Sequence, residues 1–225
     1  EWPIESMSRI ERLTEIKVIR AIRRLSPNNE SQPIDDWNIR NNQPRENHGI
    51  ATYNYGEGIY IDLKNEWIQN FANSRLENMG DLAGMNFARE RIHENLIHTN
   101  PSLNPENTPL THSAFTVLHT FSHLIIRELA SMSGFSVGSI RERIYLDVNQ
   151  ETDQVQSAGI LIYTSGSSSD GTLGGLVQQG SSIERINNVI YNALVNKTLC
   201  SNDPVCLEHT PVIDEPNGAS CHSCI

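Results

Sequence analysis

The first 199 residues of this 225-residue chain contain no cysteine, so a thiol nucleophile or a thiolate metal site is excluded from almost nine-tenths of it. Only one lysine, Lys197, follows Lys64, and no Lys-bearing phosphate loop is present, so the chain has no ATP-binding motif of its own. Apolar residues make up 37% and aromatics 6%, below the usual apolar share, which predicts long polar loops around a modest core. No run of 18 apolar residues occurs, which leaves no spanning helix, and the N-terminus lacks the basic and apolar regions of a signal peptide. The chain therefore reads as cytoplasmic, with no membrane partner. Its start at Glu1 rather than methionine reads as a piece of something longer.

Cationic charge is short as well. The formal net charge is −10, and residues 111–225 hold 5 basic against 11 acidic side chains. Phosphate backbones are bound through a local surplus of Lys and Arg, so a protein that coats nucleic acid unaided is disfavoured. One basic stretch stands out, Arg9, Arg12, Lys17, Arg20, Arg23 and Arg24, interrupted by Glu11 and Glu15. It is a place to look for a nucleic-acid or partner contact, and a solvated helix surface is its plainer reading.

What is present alternates between helical and strand patterns. "SRIERLTEIKVIRAIRRLSP" predicts a helix in its first half and a strand in its second, and residues 26–50, rich in Asn, Pro and Gln, predict a loop. "GEGIYIDL" alternates like a strand, and residues 64–96 look helical with breaks near Gly80 and Gly84. "SAFTVLHTFSHLIIRELASMSG" is apolar around most of its circumference and ends on Gly134, where a terminating glycine belongs, so it predicts a helix buried on several sides. "RERIYLDV" and "AGILIYTSG" predict strands, the latter at the centre of a sheet, and "SIERINNVIYNALVN" a final helix capped by Ser182. The fold class expected is α/β or α+β: central buried strands with packed helices and a C-terminal four-cysteine zinc loop.

The last 26 residues hold all four cysteines, Cys200, Cys206, Cys221 and Cys224, spaced C-x5-C, fourteen residues, C-x2-C. Two such pairs at loop distance suit a closed tetrahedral thiolate site for Zn2+, with two disulfides or uninvolved thiols as the competing readings. His209 and His222 lie close enough to replace a sulfur, and the acidic neighbours Asp203, Glu208, Asp214 and Glu215 argue against a base-reading finger.

Two further constellations carry candidate chemistry. His119 and His123 are spaced i, i+4 on the long helix, with His112 before them and Arg127 after. They read as largely buried, hydrogen-bonded core histidines, as a secondary ligand pair, or as acid/base groups; Thr120 stands where a metalloprotease motif needs its glutamate. Arg127, Glu128, Arg141, Glu142 and Arg143 read as a set of ion pairs. "YTSGSSSDGTLGGL" runs from a strand into small and hydroxyl residues, so Ser165, Ser167, Ser168, Ser169, Asp170 and Thr172 form a candidate phosphate or partner loop ahead of a helix start. A phosphodiesterase-like enzyme built from His119, His123, Ser165 and Asp170 is the alternative function, and a structural scaffold unrelated to DNA a third. No Gly-x-Ser-x-Gly elbow with a fitting Asp and His is readable.

Taken in order, "LHTFSHLIIREL", "SGFSVGSIRERIYLD", "AGILIYTSGSSSDGTLGGLV" and "CSNDPVCLEH…ASCHSC" resemble the MrfA-like zinc-binding (MZB) domain family, found with superfamily 2 helicases and their partners. Within it the strings are most similar to the DrmB-like family of the DISARM anti-phage defence system, to whose earlier stretches "IERLTEIKVIRAIRRLSP" and "GEGIYIDL" are also similar. That resemblance implies that Cys200, Cys206, Cys221 and Cys224 are the zinc ligands. It also implies work beside a helicase-like, DrmA-like ATPase subunit in acting on invading DNA, with DNA met mainly through the complex; the missing ATP-binding motif assigns the ATPase activity to that partner, and a non-catalytic role for this chain is the expectation. The division it implies is an N-terminal segment over 1–110 with long polar loops and the zinc-binding domain over 111–225, forming one compact unit.

Overall fold

The computed structural model describes residues 3–19, 22–23, 33–34, 50–78, 112–149, 151–166, 174–195 and 203. Four strands, β1 (Ile4–Ile19), β2 (Ile50–Leu63), β3 (Ile140–Asn149) and β4 (Gln154–Gly166), form one antiparallel sheet in the order β1-β2-β4-β3. Helices α1 (Asn65–Asn78), α2 (Ser113–Ser133), α3 (Gly175–Gln179) and α4 (Ile183–Val195) accompany it, and a two-residue ladder joins Ile22–Arg23 to Pro33–Ile34. The architecture is a mixed one, helices packed on an antiparallel sheet. The zinc loop expected at its C-terminus lies outside the described residues.

β1 departs from expectation. Residues 8–17, expected to be helical, are strand: the apparent helical spacing of Ile10 and Leu13 comes from a bulge, and Ile16, opposite Tyr53, lies on the other face. The register passes from Ile10↔Gly58 to Leu13↔Gly56, so one extra residue is inserted and the alternation changes phase. Ile10 and Leu13 thus face the same side although three apart, and the β-branched Ile10, Thr14, Ile16, Val18 and Ile19 favour extended backbone. Of the basic stretch, Arg9, Arg12 and Lys17 lie on this outer strand, and Arg20 and Arg24 lie outside the described residues.

β4 lies between β2 and β3, as its unbroken apolar run predicts. Ile59, Ile61 and Leu63 of β2, Ala158, Ile160 and Ile162 of β4, and Ile140 of β3 are buried under the helices. Opposite them α1 places Ile68 and Ala72, α2 places Leu118, Ile125 and Leu129, α3 places Leu176, and α4 places Ile186, Val189 and Ile190. Each buried aliphatic side chain contributes roughly 1.5–3 kcal/mol relative to exposure, so this one cluster dominates the stability.

The ends of α2 fix its position against the sheet. His112 is its N-cap: Nδ1 accepts from the Ala114 N–H at 3.1 Å, and Nε2 lies 3.4 Å from Asp153 in the β3–β4 turn. Gly134 ends the helix in the left-handed region at φ 77° and donates its N–H to the Ala130 carbonyl. α4 starts as expected, with the Ser182 hydroxyl accepting from the Arg185 N–H at 3.3 Å.

Candidate functional site

Three carboxylates, each on a strand, organise the polar groups of the fold. The first is Glu142. On β3 it sits between Ile140 and Ile144 in the inward phase, opposite Ile162, where an apolar residue would be expected. Its partners come from α2, where His119 and His123 share a face one turn apart. His119 Nδ1 is 2.5 Å from Glu142 Oε1, and His123 Nε2 is 3.7 Å from the same oxygen. The two rings meet edge to face with centroids 4.6 Å apart, and Phe115 stacks on the outer side of His119. The hydrogen bond to Glu142, helped by its charge and opposed by partial burial, raises the His119 pKa above its ordinary value.

The imidazoles are 49% and 41% exposed, whereas Glu142 is only 18% exposed. His119 and His123 therefore stand at the rim between helix and sheet and are not the core histidines expected; His112 is the buried one. Arg127 lies two turns beyond His119 on the same helix, half-buried. Glu142 Oε2 is sealed from solvent and has no hydrogen-bond partner among the described residues.

The second carboxylate is Glu15 of β1, on the face of the sheet opposite the helices. It accepts from Arg141 at 3.0 and 3.2 Å, from the Tyr163 hydroxyl at 3.2 Å, from the Ser165 hydroxyl at 2.5 Å and from Asn54 at 3.5 Å, with the Lys17 ammonium 3.3 Å away. Burial pushes its pKa up, but the Ser165 hydrogen bond, Lys17, the Arg141 charge and Asn54 outweigh it and hold it down to about 2. The ion pairs expected among Arg141, Glu142 and neighbouring charges are thus differently partnered: Arg141 goes to Glu15, and Glu142 to the histidines.

The sign of the Glu15 effect follows from its depressed pKa. The stabilisation is present above the ordinary value of 4.5 and is lost as pH falls towards about 2. With solvent at Arg141 and Lys17 screening the charges, about 1–2 kcal/mol is expected. Urea unfolding between pH 5 and pH 2 is expected to show wild type losing that much more stability than Glu15→Gln.

The third carboxylate is Glu57, 1% exposed in β2. It accepts from the Leu176 N–H at 2.8 Å and from the Gly174 N–H, at the start of α3. These are the donors that the Gly-Gly pair offers to a phosphate in the sequence reading, and here an internal carboxylate takes them. Glu57→Ala leaves buried N–H groups unsatisfied; a loss of about 2–4 kcal/mol is expected, read as a melting temperature lower by roughly 5–10 °C.

Ser165 is engaged by Glu15, and Ser167, Ser168, Ser169, Asp170 and Thr172 lie outside the described residues, as do Cys200, Cys206, Cys221 and Cys224. The sheet separates Ser165 from His119 and His123, because β4 presents Ile162 and Thr164 to the helix side and Tyr163 and Ser165 to the other. Ser165 is therefore not brought together with His119 and His123 as a phosphodiesterase centre needs, and Asp170 lies outside the described residues. Glu15, Glu57 and Glu142 are the functional-looking residues that motif reading misses. Two had a signal: Glu57 is an acid between two glycines of a core strand, and Glu142 occupies an apolar phase.

Comparison with known proteins defines the class. Residues 121–225 match the family model of the MrfA Zn-binding domain, a stretch that includes most of α2, β3, β4, α3, α4 and all four cysteines. That stretch is similar to the MrfA Zn-binding domain family, whose description agrees with Zn2+ as the cofactor expected from the cysteines. More particularly, the chain is similar to DISARM protein DrmB of Bacillus paralicheniformis, with 34% identity over 171 residues. That match covers 76% of this chain and 28% of the relative. No helix among the described residues is long and apolar enough to cross a membrane.

Proposed function

We propose that this protein is a zinc-stapled accessory component of a DISARM-type anti-phage defence complex, with Cys200, Cys206, Cys221 and Cys224 holding one Zn2+ in a closed tetrahedral thiolate site. The observation that carries this reading is the length of the similarity to DrmB. It extends over 171 residues, beyond the 105 that match the zinc domain, so both halves of the chain share in it. A four-thiolate site has no open position for substrate, which suits a staple and not a catalyst. Zinc binding to such a site is coupled to folding, so the ion fixes the C-terminal tail on the rest of the protein, and the two halves act as one unit.

The same reading assigns the motor to a partner, a helicase-like, DrmA-like ATPase, because this chain has no nucleotide-binding motif. DNA is met through that complex. The charge of −10 supports this, and so do the local ion pairs: Lys17 lies 3.3 Å from Glu15 and Arg9 lies 3.9 Å from Glu11, so cations of β1 are partly neutralised on their own strand. Co-expression with the helicase subunit is the test. Intact protein is expected to co-purify with it stoichiometrically, and Cys221→Ser to lose most of that association. An intact, zinc-loaded protein that never retains a helicase would favour a scaffold unrelated to DNA.

A further inference from the structure

We propose a second metal site, separate from the cysteines, in which His119, His123 and Glu142 hold one first-row divalent ion of the zinc type. One potential ligand atom from each residue lies within 4.8 Å of the other two, two from successive turns of α2 and the third from the strand packed beneath it. Zn–N and Zn–O bonds of about 2.0–2.2 Å in a tetrahedron place ligand atoms about 3.3–3.6 Å apart. The contacts of 2.5 Å and 3.7 Å bracket that spacing, so rotation of the half-exposed imidazoles suffices to make room for an ion.

Two further observations favour an ion over a plain hydrogen bond. Glu142 is a largely buried carboxylate at an apolar position: its Oε1 faces only the two imidazoles, and its Oε2 has no hydrogen-bond partner among the described residues, so the buried charge is left with few partners, a cost that a cation held at the carboxylate offsets. His119 and His123 are open enough to admit an ion from solvent. Two imidazoles and one carboxylate suit a transition metal and not Mg2+ or Ca2+, which prefer all-oxygen shells. Zinc enters by replacing the proton between His119 Nδ1 and Glu142 Oε1, which is released to solvent, and three protein ligands leave the fourth position to water. The donor set is that of an open site, in contrast to a closed four-thiolate staple.

The test is metal loading of the full chain and of single variants, using Zn2+ for stoichiometry and Co2+ for spectroscopy. Thiolate ligation of cobalt gives an intense near-ultraviolet charge-transfer band that imidazole and carboxylate ligation lacks, so the two sites are read apart. His123→Ala and Glu142→Gln are each expected to lose one equivalent of metal, with affinity at this site weakened by at least about 100-fold, while the thiolate band is unchanged. The retained band also shows that each variant has folded. Cys221→Ser is expected to do the reverse, losing the band and keeping the second equivalent. Metal content in His123→Ala and Glu142→Gln equal to wild type would overturn the proposal, whatever the cysteines do.

Discussion

Cys221→Ser is expected to release the zinc of the cysteine site and to expose the C-terminal tail to protease, with cleavage beyond Val195, while most helical signal survives. The two halves of that result have separate causes. Structural zinc sites bind with apparent free energies of about 10–16 kcal/mol at neutral pH, and a serine hydroxyl in place of one thiolate removes a charged ligand, so stoichiometric occupancy is lost. The sheet and α1–α4, by contrast, share a buried aliphatic core drawn from residues 4–190, including Ile59, Ile160, Leu118 and Ile190, all ahead of the first cysteine in the chain. Metal analysis, a thiol count and limited proteolysis of wild type and variant read all of this. Cleavage of both proteins at equal rates would separate the tail from zinc.

Gly56→Ala is expected to be the most damaging change of a single methyl group. A Cβ at Gly56 would stand 1.6 Å from the Thr164 carbonyl oxygen and 2.6 Å from its carbon, both backbone atoms of the neighbouring strand. No rotamer relieves a clash with backbone, so the two central strands, β2 and β4, must separate where Gly56 pairs with Ser165, one pair from the end of their ladder. Overpacking of side chains costs about 1–3 kcal/mol; here ladder bonds and the Ser165–Glu15 contact go as well, so about 3 kcal/mol or more is expected. Thermal unfolding checks it. The bulge of β1 lies on the other side of Gly56, which pairs with Leu13 just past it.

Much of this arrangement was legible in the sequence where one period was unmixed. α2 announces itself through apolar residues on three sides and Gly134 at its end, and β4 through "ILIY" bounded by glycines. Reading failed where one residue was inserted: the bulge at residues 11–12 turned an alternating strand into a pattern resembling helical spacing. The site was half visible. His119 and His123 were conspicuous by their i, i+4 spacing, but their partner Glu142 comes from a different element and could be found only through its parity with Ile140 and Ile144. Their exposure was misjudged because an apolar helix suggested a buried histidine, whereas both imidazoles leave the core along one rim. The serine-rich stretch looked like an anion cradle, and its helix start had an internal anion in Glu57, 117 residues earlier in the chain than Gly174.

Zinc K-edge X-ray absorption on His123→Ala, in which only the cysteine site remains loaded, tests the central claim most directly. The expected spectrum is a single shell of four sulfurs at about 2.3 Å. A shell dominated by nitrogen and oxygen, or protein that carries no zinc and four free thiols, would contradict it.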